Sequence, residues 1–412
     1  MNAWLARVRR RIERDLFTRP PGSLPALDGM RAFACAAIVF FHCTLFSGVF
    51  AVKDPGFEMR ALRYAGNALW TGVDIFFVLS GFLIGRILLA DLAGDGSLRF
   101  GRFYTRRSFR IFPAYYLVLV TALFVLAPFD VAHFRSYLAF IGVRDLTALR
   151  EGAWPNFLYL NNYIEPSGGD VMTWGWSLCV EEHFYLLLPA LLAAIFWVRS
   201  PAWRAALLVA CTLLPLAARA ALHAAGQGSA HAFYYTSHTR FDQLFVGVGI
   251  AYACVVYREP FQRIALRAGW LSAAVGLAAV LLVWTYGGLL GTGSFAIVWQ
   301  FFVLALGVGL VLVNAIFLDN PLSRFLAHRA WYPLARVSYG MYLVHPIVIF
   351  ACVAWIKATL PKASVDSVLL LGLYAGAMAI SFLVACTMFL LVERPLLDLG
   401  GRLGGRSQRS RP

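Results

Sequence analysis

Apolar residues run in stretches long enough to cross the ~30 Å hydrocarbon layer of a bilayer as α-helices, at ~1.5 Å per residue, and polar intervals separate them. Ten such segments can be read: about 27–49, 67–90, 112–128, 178 onward, 205–222, 243–257, 270–286, 295–317, 337–356 and 368–391. The pattern predicts an all-α, polytopic membrane bundle of about ten transmembrane helices, built as one domain over residues 27–396. Residues 1–26 read as a basic, amphipathic lead-in on the membrane surface, and 397–412 as a basic, glycine-rich flexible tail. The longest hydrophilic stretch lies between the third and fourth segments and ends in Trp174-Gly175-Trp176-Ser177. No internal repeat is visible.

Composition agrees with this reading. Of 412 residues, 60% are hydrophobic and 14% charged, whereas a soluble domain holds about 25% charged residues. A net charge of +15 would suit a nucleic-acid partner, but its distribution argues otherwise. Most of the 36 Lys and Arg residues fall in loops on the side that holds both termini. That is the positive-inside pattern, so both termini and the 91–111 loop are expected in the cytoplasm, with no nucleic acid involved. The seven cysteines sit in or beside apolar segments, with no spacing of a disulfide framework or metal site. The basic start before an apolar run resembles a signal peptide. That run carries Arg31 and His42, however, and reads as a retained helix.

The polar residues inside the apolar segments are the candidates for chemistry. Eleven helical positions turn by ~1100°, within ~20° of one face, so Arg31 and His42 line one side about 16 Å apart. With Arg31 near one surface, His42 falls about halfway through the ~30 Å layer. We read it as a reactive imidazole reached from both sides, since a histidine titrates near working pH. A histidine merely bonded to a neighbouring helix is the plainer alternative. Asp74 is another buried charge in need of a partner, for which Arg31 and His42 are candidates, and the glycines around it permit close helix contact. Arg107 and Arg110 stand one turn apart and can share one phosphate-rich ligand, while Arg99 and Arg102 read as topology signals. Glu181 and Glu182 follow two tryptophans; adjacent residues point ~100° apart, so at most one is expected to face a given cleft. One of them is a candidate for catalysis or acceptor binding, against a simple role at the helix N-terminus. Arg240 and Asp242 mark the outer mouth of the sixth segment, as acceptor-side or solvated interface residues. His223, His231 and His238 read as exposed loop residues. His345 precedes Pro346, which leaves a backbone carbonyl free, so it caps that carbonyl or meets substrate. There is no Walker loop, dinucleotide fingerprint or metal-spaced histidine pair, so neither a metal nor a permanently bound cofactor is expected.

Taken in order, these segments resemble the membrane acyltransferase-3 family, which includes the O-acetyltransferases of bacterial surface and exported polysaccharides. The resemblance rests on Leu27-Asp28-Gly29-Met30-Arg31 with His42, and on Gly72-Val73-Asp74-Ile75-Phe76-Phe77-Val78-Leu79-Ser80-Gly81-Phe82. It continues through Arg107-Ser108-Phe109-Arg110-Ile111-Phe112-Pro113 and Trp176-Ser177-Leu178-Cys179-Val180-Glu181-Glu182-His183-Phe184-Tyr185. It ends with Arg240-Phe241-Asp242, Tyr339-Gly340-Met341-Tyr342-Leu343-Val344-His345-Pro346 and Glu393-Arg394-Pro395. Cys179 and His183 depart from it, standing where the family usually has Ser and Gln.

The resemblance implies an acyl-CoA donor, usually acetyl-CoA, bound from the cytoplasm as a substrate. It also implies a carbohydrate or lipid-linked glycan acceptor on the far side of a bacterial cytoplasmic (inner) membrane. Many members carry an added extracytoplasmic domain, and this chain is expected to be a stand-alone member. Arg31, Arg107 and Arg110 are then donor-binding, and His42 is a general base or transient acyl carrier, with the base favoured. Glu181 or Glu182 assists, and Asp74, Trp176, Arg240, Asp242 and His345 support the acceptor side. A transporter or proton-coupled permease would also place charges within the membrane, but the absence of a repeat and the large basic inner loop weigh against it.

Overall fold

A computed structural model describes residues 9–140, 142–143, 145–164, 170–288, 293–360 and 365–403. Among the described residues the regular elements are all helices, as the patterning predicts. The ten apolar segments form α1 (Pro25–Phe46), α2 (Gly72–Gly94), α3 (Phe100–Thr121), α4 (Trp176–Trp197), α5 (Pro201–Ala224), α6 (Phe241–Val256), α7 (Trp270–Tyr286), α8 (Gln300–Phe317), α9 (Ser338–Thr359) and α10 (Ser367–Met388). Eight spans among the described residues are long and apolar enough to cross a membrane. A ninth follows if α6 and the next helix, Arg258–Ala268, which meet at 115°, form one broken span. The 17 residues of α7 give ~25 Å, short of the ~30 Å layer, so length alone does not make it a tenth.

Two stretches differ from expectation in ways that matter later. α3 begins at Phe100, so most of the basic loop predicted over 91–111 is its first turns, and Arg102, Arg106, Arg107 and Arg110 project from a helix. The predicted flexible tail is helical as far as Leu403, because Arg394–Leu403 is a helix whose Gly400 packs on Phe109. The lead-in is tied down as well: buried Asp15 accepts from Arg14 at 2.9 Å and lies 3.5 Å from Arg394. Residues 1–8 of that lead-in and 404–412 of the tail lie outside the described residues.

The closest helix pair is α2 with α6, and glycine permits it. A Cβ on Gly81 would collide with the Leu244 carbonyl, and one on Gly247 with the backbone of Val78 and Phe82. At that approach each backbone fills the groove of the other, as small residues allow within a membrane. Ion pairs lock the same region. The Arg240 guanidinium donates to Asp74 at 2.7 Å, joining α2 to the start of α6, and Gln243 donates to the same oxygen at 2.5 Å. Arg219 of α5 pairs with Asp242 at 2.6 Å and donates to the carbonyls of Thr239 and Val298. All four charged side chains are fully buried. Each therefore needs its partner, because an uncompensated charge costs far more here than at a surface.

The glycine contact generates a stability prediction. Gly81→Ala should destabilise the purified protein by about 1–3 kcal/mol through overpacking. Gly94→Ala, at a position with open space around it, should leave the melting temperature unchanged. Equal melting curves for the two variants would show that α2 and α6 can move apart freely.

Candidate active site

Three cavities adjoin one another through shared walls. The outermost, of about 380 Å³, lies beside the start of α3 and is lined by Arg99, Arg102, Arg106, Arg107 and Arg110, with Asp91 and the C-terminal Gly400 and Gly401. Folding residues 100–111 as helix gathers these arginines around one space, so Arg99 and Arg102, expected as topology signals, also line a cavity. A second cavity, of about 100 Å³, shares Arg107 and Arg110 with the first and adds Arg31, Ser80, Glu181, Glu182, Tyr185, Tyr339 and Tyr342. A third, of about 160 Å³, shares Val73 and Tyr342 with the second and contains His42, Trp70, Trp174, Trp176, Tyr234 and Tyr235.

The middle cavity gathers three guanidiniums and two carboxyl groups. Ser80 donates to Glu181 Oε1 at 2.5 Å, and Tyr185 donates to Ser80 at 3.1 Å. Arg107 lies over the Tyr185 ring, 5.2 Å from its centroid. Glu182 Oε1 is buried and has no hydrogen-bond partner among the described residues. Contrary to the expectation that only one glutamate faces a cleft, both line this one, although their directions on α4 differ by ~100°. Neither lines the cavity of His42. Tyr342 stands between: its hydroxyl donates to the Trp174 carbonyl at 2.5 Å and accepts from Ser177 at 2.6 Å.

His42 is held by a short relay that begins at a proline. Pro346 has no N–H, so the Tyr342 carbonyl one turn earlier loses its helical partner. His345 Nδ1 donates to that carbonyl at 2.7 Å and faces the Met341 carbonyl at 3.2 Å. A nitrogen facing two carbonyls carries the proton, which leaves His345 Nε2 as an acceptor in the neutral ring. His345 Nε2 lies 3.1 Å from His42 Nδ1, which also faces the Ile38 carbonyl at 3.0 Å. His42 Nδ1 therefore carries hydrogen, and its Nε2 keeps a lone pair. His345 thus both caps the freed carbonyl and orients the neighbouring imidazole.

Other expected residues fall elsewhere. Asp74 pairs with Arg240, in place of Arg31 or His42. Arg240 and Asp242, expected at an open mouth, are fully buried in ion pairs and line none of the three cavities. Arg240 meets the third, upper cavity only through two of its lining rings, lying 5.2 Å from the Trp176 ring centroid and 4.8 Å from that of Tyr234. Trp176 itself lines that cavity, as does His231, which was read as an exposed loop residue. His183 bonds Ser237 at 2.7 Å, and the Cys179 thiol bonds Asn161 Oδ1 at 2.7 Å. Patterning missed Asp170, Asn161 and Thr173 in the same wall. They come from a loop with no periodic signal. Burial pushes the Asp170 carboxyl up to about 6, against the donors Asn161 and the Met172 amide.

A helical membrane bundle that joins arginine-lined cavities to an oriented imidazole has the parts of a membrane-embedded transferase. The chain belongs to the acyltransferase-3 family, whose acyltransferase domain matches residues 24–390. It is 27% identical over 402 residues to peptidoglycan O-acetyltransferase OatA of Listeria monocytogenes, covering 92% of this chain and 56% of that protein. It is 28% identical over 342 residues to the putative peptidoglycan O-acetyltransferase YrhL of Bacillus subtilis, covering 80% and 49%. To the O-acetyltransferase OatA of Staphylococcus aureus it is 25% identical over 361 residues, covering 83% and 53%. The chain thus spans about half the length of the curated relatives it matches. No solved structure matches it.

The relay makes His345 a positioning residue with a measurable signature. His345→Ala should slow acyl transfer about tenfold or more, the ~1.4 kcal/mol of one hydrogen bond, with the donor KM unchanged. His345→Gln, whose amide both donates and accepts, should recover part of that rate. Identical rates in the two variants would remove the relay from the reaction.

Proposed function

We propose that this chain is a membrane O-acetyltransferase that takes an acyl group from cytoplasmic acyl-CoA and passes it to a carbohydrate hydroxyl on the opposite side of the bacterial cytoplasmic membrane. The observation that carries the reading is the series of cavities, in which arginines line the first two and the third holds His42. Guanidinium forks suit phosphate, so the wide outer cavity fits the phosphorylated end of CoA. The narrower middle cavity fits the thioester end, and its small volume favours a short acyl group such as acetyl. The aromatic upper cavity fits a sugar ring. The relatives' names point to peptidoglycan among carbohydrate or lipid-linked glycan acceptors. Ten membrane crossings with both termini cytoplasmic would put the arginine cavities on the donor side, consistent with the excess of basic loops there.

In this mechanism His42 Nε2 takes the proton of the acceptor hydroxyl as its oxygen attacks the thioester carbonyl. A C–O bond forms and the C–S bond breaks. His42 then returns the proton to the departing CoA sulfur, so the imidazole ends as it began. Through Nδ1, His345 keeps the reacting nitrogen free of hydrogen before the step. Arg31, Arg107 and Arg110 hold the anionic donor, and Glu181 fixes Ser80 and the hydroxyl chain through Tyr185.

Sealed vesicles of known orientation test the reading. Radiolabelled acetyl-CoA on the cytoplasmic face should label a glycan confined to the other face, free CoA should stay with the donor, and His42→Ala should abolish transfer. Labelling that requires donor and acceptor on one face sinks the through-membrane route. On the donor side, Arg107→Ala and Arg110→Ala should each raise the acetyl-CoA KM about tenfold to a hundredfold, the worth of a charge-assisted contact, and spare the acceptor KM. An unchanged donor KM in both would return these arginines to a topological role.

A further inference from the structure

The upper cavity has a polar corner for which the mechanism above has no use. Asp170 lines it beside Thr173 and His42. Asp170 Oδ1 accepts the Met172 backbone N–H at 3.1 Å, and Asn161 Nδ2 lies 3.3 and 3.5 Å from the two carboxylate oxygens. The orientation of Asn161 is itself determined: its carbonyl oxygen accepts the Cys179 thiol at 2.7 Å, so its amino group must turn toward Asp170. A carboxylate offers about four lone-pair directions. Among the described residues its donors are Asn161, the Met172 amide and Asn156, fewer than those directions, and the carboxylate borders the cavity.

The charge balance of this cavity is one-sided. Among the described residues that line it, Asp170 is the one carboxyl group, and none is lysine or arginine. The Arg240 guanidinium lies against the Trp176 and Tyr234 rings of the lining and is engaged by Asp74. An acceptor bearing its own carboxylate would meet a like charge in a poorly solvated space whose described lining holds no lysine or arginine, the imidazoles of His42 and His231 being its basic groups. The size is equally restrictive. The cavity is about 160 Å³, and a cavity of about 150 Å³ holds a single benzene ring.

We propose that Asp170 is an acceptor-binding residue that accepts a hydrogen bond from a hydroxyl of one neutral pyranose ring and disfavours rings carrying an acidic substituent. The ring stacks on the tryptophans, and the hydroxyl next to the one held by Asp170 faces His42. Asn161 and Cys179 are positioning residues for the carboxylate, which gives the departure at Cys179 a role: its thiol donates as a serine hydroxyl would. The proposal rests on the acyltransferase reading above, with the upper cavity as the acceptor side.

The test uses the full chain in detergent micelles and follows CoA release from acetyl-CoA. Methyl glucopyranoside is the neutral probe and methyl glucopyranosiduronate the acidic one. The wild type should use the neutral glycoside at least tenfold better. Asp170→Asn should raise the KM for the neutral glycoside about tenfold to a hundredfold, the range for a hydrogen bond to a charged group, and narrow the discrimination. The donor KM should not move, which also reports an intact fold. Cys179→Ala should raise the acceptor KM in the same direction, and Cys179→Ser should restore it. Equal use of the two glycosides by the wild type, use of neither, or an Asp170→Asn variant with wild-type acceptor KM and discrimination would each overturn the proposal. Failure of the underlying reading looks different: CoA release that His42→Ala leaves untouched, whatever acceptor is supplied.

Discussion

The structure depends on one constraint: a charge placed among apolar helices must find its partner there, because no water is at hand to solvate it. The Asp74–Arg240 pair is the central instance. It ties α2 to the start of α6, where Gly81 and Gly247 already bring the two backbones together. Arg219 and Asp242 extend the lock to α5. Such pairs contribute little net stability, yet breaking one by removing a single partner costs about 3–5 kcal/mol. What they supply is registry. With Arg240 immobile, the rings of Trp176, Tyr234 and Phe301 close around it, the last at 3.9 Å from its centroid. Two of those rings form the wall of the cavity that holds His42.

A second line of dependence runs along α9. Pro346 opens a carbonyl, His345 fills it, and the remaining nitrogen of His345, together with the Ile38 carbonyl, sets which nitrogen of His42 holds hydrogen. Backbone chemistry at a proline thereby bears on the tautomer of an imidazole on another helix. The tyrosine whose carbonyl is freed, Tyr342, also stands between two cavities through its hydroxyl. One turn of helix therefore serves both the His42 imidazole and the partition beside it.

Much of this was legible in the sequence because it is periodic or expensive to bury. Apolar runs located the ten helical segments, and Arg31, His42, Arg107, Arg110, Glu181 and Glu182 stood out as polar groups in apolar surroundings. All six line the cavities. The partners of buried charges were not legible, since Asp74 meets Arg240 across 166 positions of chain and no local spacing records that contact. The helical phase separates the Cβ directions of Glu181 and Glu182, but it could not foresee a cavity that both side chains line. Asp170 and Asn161 escaped because loop residues are placed by tertiary contacts, and neither period 2 nor period 3.6 applies to them.

The partition formed by Val73 and Tyr342 has a bioenergetic consequence. A continuous water-filled passage through a bundle of this kind would short-circuit an energised membrane, where each elementary charge that crosses dissipates about 2.3 kcal/mol per 100 mV. The Tyr342 hydroxyl donates to the Trp174 carbonyl, an acceptor with no proton of its own to pass on, so the hydrogen-bond chain that reaches it from Ser177 ends there. A neutral acyl group, by contrast, feels no pull from the electrical field. On the through-membrane route proposed above, the tyrosine is an electrical insulator set across a chemical conduit, so that an ion gradient would neither drive the transfer nor drain through it.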